Sequence, residues 1–152
     1  VGDIADTPGL EAGSPDVVRA LHACDTATDD ALAWAVREKA AIILAAPCCH
    51  HDLQRQFQQP PEPWAAVTRH GIVRERLLVL VTDSLRAAIL REWGYRTDLF
   101  EFVSGEHTPR NIMLRAVRTG HMAAEAAGER EELARTLGVE PALLRRLRGL
   151  DC

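Results

Sequence analysis

Two short windows concentrate the side chains able to do chemistry. Ala20-Leu21-His22-Ala23-Cys24-Asp25-Thr26 and Ala45-Ala46-Pro47-Cys48-Cys49-His50-His51 together hold three of the four cysteines and three of the six histidines. Each begins as the apolar run of a buried strand and ends in residues that bind metal, carry protons or attack an electrophile. Open α/β folds place their sites at the carboxyl ends of neighbouring parallel strands.

Each candidate has more than one use. His22 titrates near neutrality and suits a general base, or it is a hydrogen-bonded histidine that fixes a strand-to-helix turn. Asp25 orients His22 or caps a turn. Cys48-Cys49-His50-His51 admits three readings. One is the wall of a substrate pocket, with a histidine as base or substrate contact. Another is a zinc site, thiolate and imidazole being preferred zinc ligands, with His22 and Cys24 completing the set. The last is a packed turn around a buried cysteine. Further on, Thr108-Pro109-Arg110-Asn111 offers Arg110 as a clamp for phosphate or carboxylate and Asn111 as a reader of an amide or base edge. The alternative is a stiff loop in which Arg110 pairs with Glu106.

The elements that must position these residues follow from pattern. Asp16 to His22 predicts a strand covered on both faces. Thr26 and Asp29 have capping-box spacing and open a helix to about Lys39, with Leu32, Ala35 and Val36 facing inward. Ala41 to Ala46 is a second strand, ended by Pro47. Strand, helix and strand over about thirty residues make a βαβ unit with parallel strands. His50 to Phe57 and Trp64 to His70 suit short helices either side of the stiff Gln59-Pro60-Pro61-Glu62-Pro63. Val73 to Trp93 is the longest helix, its apolar stripe formed by Val73, Leu77, Leu80, Val81, Leu85, Ala88 and Ile89, with Gly94 as its C-terminal cap. Tyr95 to Ser104 and Ile112 to Arg118 predict an antiparallel strand pair. A helix from His121 to Leu137, a turn at Gly138, and a short helix opened by Pro141 close the chain.

Composition bounds the rest. The 152 residues suffice for one domain with a core, and 47% hydrophobic and 26% charged is ordinary for a soluble protein. A net charge of -4 supplies no global field for nucleic acid. Only Lys39 among the 18 basic residues is a lysine, which suggests codon bias. No apolar run reaches the roughly 18 residues of a membrane span, and Asp3, Asp6 and Glu11 interrupt the opening against a signal peptide. Cys48 and Cys49 are adjacent and unsuited to a disulfide framework, so the cytoplasm is the expected compartment. The start at Val1 suggests a fragment or an alternative start codon.

A rival function of a different class comes from the C-terminus. Glu132 to Leu147, with Leu-Gly-Val between two helices and a basic second helix, resembles a helix-turn-helix that would read DNA. A helical hairpin packed on the sheet edge fits the same residues.

Taken together, Leu21 to Asp29, Ala46-Pro47-Cys48-Cys49-His50-His51 and Thr108-Pro109-Arg110-Asn111 resemble the later half of a class I S-adenosylmethionine-dependent methyltransferase of the family built around a PCCH(H) segment. That family includes putative RNA methyltransferases, and a Cys-Cys-His-His cluster is also seen in tRNA ribose methyltransferases. The resemblance covers roughly residues 1 to 120 and leaves 121 to 152 as the packed hairpin. It implies an α/β Rossmann-like fold, the C-terminal half of the domain, with a mixed sheet and a final antiparallel strand pair. It implies S-adenosylmethionine as cofactor and RNA or another nucleophile as acceptor; no residue is assigned to a metal, and zinc binding through the Cys/His cluster stays the alternative. Asp3 and Ile4, with His22 and Ala23, would touch the cofactor. His22, Cys24, Asp25, Cys49, His50 and His51 would form the catalytic wall, and Pro47, Cys48, Arg110 and Asn111 the substrate side. No Gly-rich strand-to-helix turn precedes Asp16. The main cofactor loop would therefore lie in a missing N-terminal half of the same domain, and this chain alone would bind the cofactor poorly.

Overall fold

The computed structural model describes residues 13–21, 23–104 and 111–149. Four strands form one mixed sheet: β1 (Val17–Leu21), β2 (Ile42–Ala46), β3 (Tyr95–Glu101) and β4 (Ile112–Arg118). Their spatial order is β1-β2-β4-β3. β1 and β2 are parallel, in register from Val17 with Ile42 to Leu21 with Ala46. β4 runs antiparallel to both β2 and β3, pairing Leu114 with Ala45 on one side and Leu99 on the other. The α/β class and the antiparallel closing pair are those expected of a Rossmann-like methyltransferase fold. The last strand slots between β2 and β3, so it covers the β2 edge that β1 leaves open.

The described residues also form six helices, α1 (Thr26–Arg37), α2 (His51–Gln56), α3 (Trp64–Val67), α4 (Gly71–Glu92), α5 (Ala124–Leu137) and α6 (Ala142–Arg148), of which α1 and α4 lie against the strands. The larger core joins Leu32, Ala35 and Val36 of α1 to Ile43, Leu114, Ile89, Leu90, Leu143 and Leu147. A second cluster joins Leu53 and Phe57 to Leu78, Val81, Leu85, Leu137 and Val139. The apolar positions on β2 and β4 alternate: Ile43, Ala45, Leu114 and Ala116 are wholly buried, while Arg115 between the last two is exposed. That is the period-two pattern of a pleated strand.

Several local expectations need correction. β1 is an edge strand, so Val17 and Leu21 are about half exposed (48% and 53%) while Ala20 is buried. It is not covered on both faces among the described residues. Thr26 and Asp29 make no capping box: the N-cap is Asp25, without a side-chain cap bond, and Asp29 turns inward to Arg86. Along α4 the buried face is Leu78, Val81, Leu85, Ile89 and Leu90, whereas Val73 and Leu80 are exposed. Val81, Leu85 and Ile89 of the expected stripe are buried, and the inward face also takes in the polar Thr82, Asp83 and Arg86. Gly94, at φ 86°, does supply the left-handed residue after α4, and Gly138, at φ 64°, does so after α5.

The C-terminal helices are built into the protein. Leu143, Leu144 and Leu147 of α6 join the core with the sheet residues. Arg145 pairs with Asp52 and with the Glu140 carbonyl, and Arg146 with Asp30. The apolar face is thus buried and these two cations are engaged within the chain. In α5, Arg130 makes a two-pronged ion pair with Glu92 at 3.1 and 3.0 Å. No helix among the described residues is long and apolar enough to cross a membrane.

Candidate active site

The carboxyl ends of β1 and β2 lie side by side because the strands are parallel and in register. After β1 the chain turns through Ala23, Cys24 and Asp25. Asp25 has φ 54° and ψ −123°, a conformation rarely adopted outside glycine. Three local bonds hold the turn: the Thr28 hydroxyl donates to the Ala23 carbonyl at 2.6 Å, and the N–H groups of Ala27 and Thr28 donate to the Cys24 and Asp25 carbonyls. After β2, Pro47 ends the ladder and residues 47–50 are irregular before α2 begins at His51.

Asp25 links the two ends. Its Oδ1 accepts the backbone N–H groups of His51 and Asp52, each at 2.9 Å, and its Oδ2 accepts Arg55 Nη2 at 2.9 Å. It therefore caps α2, the helix after the other strand, satisfying two of the N–H groups that a helix start leaves without partners. Partial burial by itself would raise the Asp25 pKa. The Asp52 N–H, the Arg55 guanidinium and the His51 N–H outweigh it and hold the carboxyl below the usual carboxylate range. Asp25 is ionised at neutral pH and is a positioning residue.

Three thiols meet on the same rim. Cys24 Sγ is 3.4 Å from Cys48 Sγ, Cys48 Sγ is 3.8 Å from Cys49 Sγ, and all three sulfurs lie within 4.8 Å of one another. Cys48 and Cys49, hydrogen-bonded to Cys24 and adding charge repulsion, push the Cys24 thiol up to about 11.

The two histidines diverge. His50 is buried, 3% exposed, with Nε2 3.0 Å from Asp83 Oδ1. An ionised carboxylate only accepts, so Nε2 donates, and Nδ1 has no hydrogen-bond partner among the described residues. Asp83 also accepts Arg86 Nη1 at 3.1 Å, while Arg86 grips Asp29 through Nε at 2.9 Å and Nη2 at 2.7 Å. Its Nη2 also reaches the Asp25 carbonyl at 3.1 Å. Burial by itself would lower the Arg86 pKa, but Asp29 and Asp83 outweigh it, so the guanidinium stays charged. This chain of buried ions ties α1, α4 and the start of α2 together beneath the rim. His51, by contrast, is exposed and lines an open cleft of about 510 Å³ with Gln54, Arg55, Gln58, Arg74 and Glu75.

Of the residues singled out from sequence, Cys24, Asp25, Cys48 and Cys49 come together, with the His51 backbone bound to Asp25. Ala23 and Pro47 form the turns beside them; the Ala23 carbonyl already holds Thr28. His50 turns into the core. Asn111 is buried, its side-chain amide donating to the Val103 carbonyl at 3.0 Å and its own carbonyl accepting the Phe102 N–H. It ties the two ends of the β3–β4 loop together. Asp3, Ile4, His22 and Arg110 lie outside the described residues. Asp29, Asp83, Arg86 and Arg55 were missed. Asp83 and Arg86 could have been found, because an acid and a base three residues apart on the inward face of a long amphipathic helix demand partners.

No curated protein and no solved structure matches the chain. One family model does, and its span takes in β1, α1, β2 and α2, and so the whole of the thiol rim: residues 3–56 match a methyltransferase domain.

Proposed function

We propose that this chain forms the acceptor-side wall of a class I methyltransferase that uses S-adenosylmethionine, with RNA as the acceptor. The observation that carries the reading is the Asp25 cap. It locks the carboxyl ends of two parallel strands together inside the segment that matches a methyltransferase domain. The residues present fit one wall of a cofactor site: the Ala23–Asp25 turn and the Pro47–His50 stretch border the same end of the sheet. The exposed, parallel edge of β1, with Val17 and Leu21 half uncovered, supports further strands pairing there, since parallel sheets are ordinarily buried. An N-terminal half with the Gly-rich loop would pair in that place, Asp3, Ile4, His22 and Ala23 would face the cofactor, and residues 1 to 120 would make up this part of the domain.

When bound, S-adenosylmethionine supplies an electrophilic methyl group on a sulfonium. This chain's own contribution is positioning, which can supply most of the rate of an in-line displacement. Asp25 fixes both turns. The Asp29–Arg86–Asp83 ions hold His50, and through it the backbone that presents Cys48, Cys49 and His51. With the cofactor bound, His51, an exposed imidazole on this rim, would be placed to accept the proton that the acceptor gives up. The cleft that His51 lines also carries Arg55, paired with Asp25, and Arg74 beside Glu75, and its two guanidinium groups support a phosphodiester there.

The test is transfer of a labelled methyl group from S-adenosylmethionine to an RNA pool by the chain extended upstream with its genomic sequence. Label in RNA that is lost on His51→Ala supports the reading. Label only in protein would overturn the acceptor, and no label in any pool would overturn the enzyme.

A further inference from the structure

We propose that Cys24, Cys48 and Cys49 form a three-thiolate site for a zinc-class divalent cation, fastened across the carboxyl ends of β1 and β2. The proposal goes beyond methyl transfer and rests on the sulfur geometry alone.

Zinc binds thiolate at about 2.3 Å in a tetrahedral arrangement, which sets neighbouring sulfurs about 3.8 Å apart. The separations of 3.4 Å for Cys24 to Cys48 and 3.8 Å for Cys48 to Cys49 are close to two edges of one face of such a tetrahedron. The three sulfurs fit within 4.8 Å. The sulfurs are not bonded to one another, a disulfide being about 2.05 Å. Adjacent residues on a strand point to opposite faces. Here Pro47 has ended β2, and the irregular stretch 47–50 lets Cys48 and Cys49 approach the same point. Cys24 arrives from the neighbouring parallel strand, on the turn that Asp25 braces against α2.

The donor set is all sulfur. His50 is engaged with Asp83, and the described residues that gather are the three cysteines. Soft thiolates favour zinc over magnesium or calcium. Exposure of Cys24 supplies an entry path. Binding releases one proton from each thiol to solvent as its sulfur–metal bond forms. Three thiolates and a divalent cation leave one net negative charge, and the fourth position falls to water or to a donor beyond these three.

The test uses the full, reduced chain titrated with cobalt(II) and then zinc. One equivalent of cobalt should give a thiolate-to-metal charge-transfer band and the intense visible bands of tetrahedral cobalt, and zinc should bleach both. Cys24→Ser, Cys48→Ser and Cys49→Ser should each weaken zinc binding by more than the roughly 10–100-fold that losing an outer-shell partner costs, while Cys152→Ser leaves it unchanged. Because a serine variant can fail to fold, a second measurement uses the unaltered chain: zinc should protect Cys24, Cys48 and Cys49 together from alkylation. Absence of the charge-transfer band, or a band that survives Cys24→Ser and is lost in Cys152→Ser, would overturn the site. So would alkylation of the three at the metal-free rate. None of these readouts depends on the cofactor or on methyl transfer.

Discussion

Asp25 caps a helix that belongs to the neighbouring strand: its Oδ1 accepts the His51 backbone N–H at 2.9 Å across the gap between β1 and β2. One side chain therefore sets both the pose of α2 and the spacing of the two turns that carry Cys24, Cys48 and Cys49. Replacing it with alanine should lower stability by about 0.5–2 kcal/mol, the usual cost of a lost cap, read as a shift of the urea midpoint. Asp25→Gly should cost less than Asp25→Ala, because glycine adopts φ 54° without strain. The reverse order would contradict a strained turn held by its cap.

The same contacts predict a pH dependence. The native pKa of Asp25 lies below its unfolded value, so the unfolded chain binds this proton more tightly. The stabilisation is present above about pH 4, the ordinary aspartate value, and fades as pH falls through the lower native value. Urea unfolding from pH 7 down to pH 2 should show a shallower acid loss in Asp25→Asn than in the unaltered protein. Parallel curves would show that Asp25 has no part in the acid transition.

The buried ions should dominate stability beneath the rim. Arg86→Met leaves Asp29 and Asp83 buried without their cation, a change expected to cost about 3–5 kcal/mol. That is a large part of the stability of a domain this size. Unfolding midpoints of Arg86→Met against the double variant Arg86→Met/Asp29→Asn should show partial recovery in the double variant. Additive losses would contradict the pairing.

The neighbouring histidines should separate cleanly. His51→Ala, on an exposed ring, should leave stability within about 0.5 kcal/mol and lower methyl transfer by about 100- to 10,000-fold if it takes the acceptor proton. His50→Ala should destabilise the fold, because it empties a buried position and releases Asp83. Thermal melts alongside transfer rates decide between them. A His51→Ala enzyme with full activity would remove His51 from the chemistry.

Leu143 measures how far α6 belongs to the domain. It is wholly buried among sheet and α1 residues, so Leu143→Ala should cost about 2–5 kcal/mol and move the single unfolding transition of the whole chain. A separate early transition would instead mark residues 121 to 152 as an independent hairpin.

The elements were legible where local pattern governs. Apolar runs, Pro47 and Gly94 placed β1, β2, α4 and β3 because each acts on its own neighbours in the chain. The site was legible only as a collection of types. Nothing in Asp25 says that it will cap α2, since that bond spans the gap between two strands that only pairing brings together. The spacing of Asp83 and Arg86 in α4 signals that they need partners, but it does not say which. Their burial is possible because His50 and Asp29 arrive from elsewhere in the chain. β1 read as doubly covered because its composition is that of an interior strand, while its position in this sheet is an edge.

The most direct measurement is calorimetric titration of S-adenosylmethionine into this chain and into a version extended upstream by its own genomic sequence. The account predicts heat of binding for the extended version and little or none for this chain, the rim supplying one wall and the upstream strands the cofactor loop. Binding by neither would contradict a methyltransferase, and tight binding by this chain alone would contradict the missing loop.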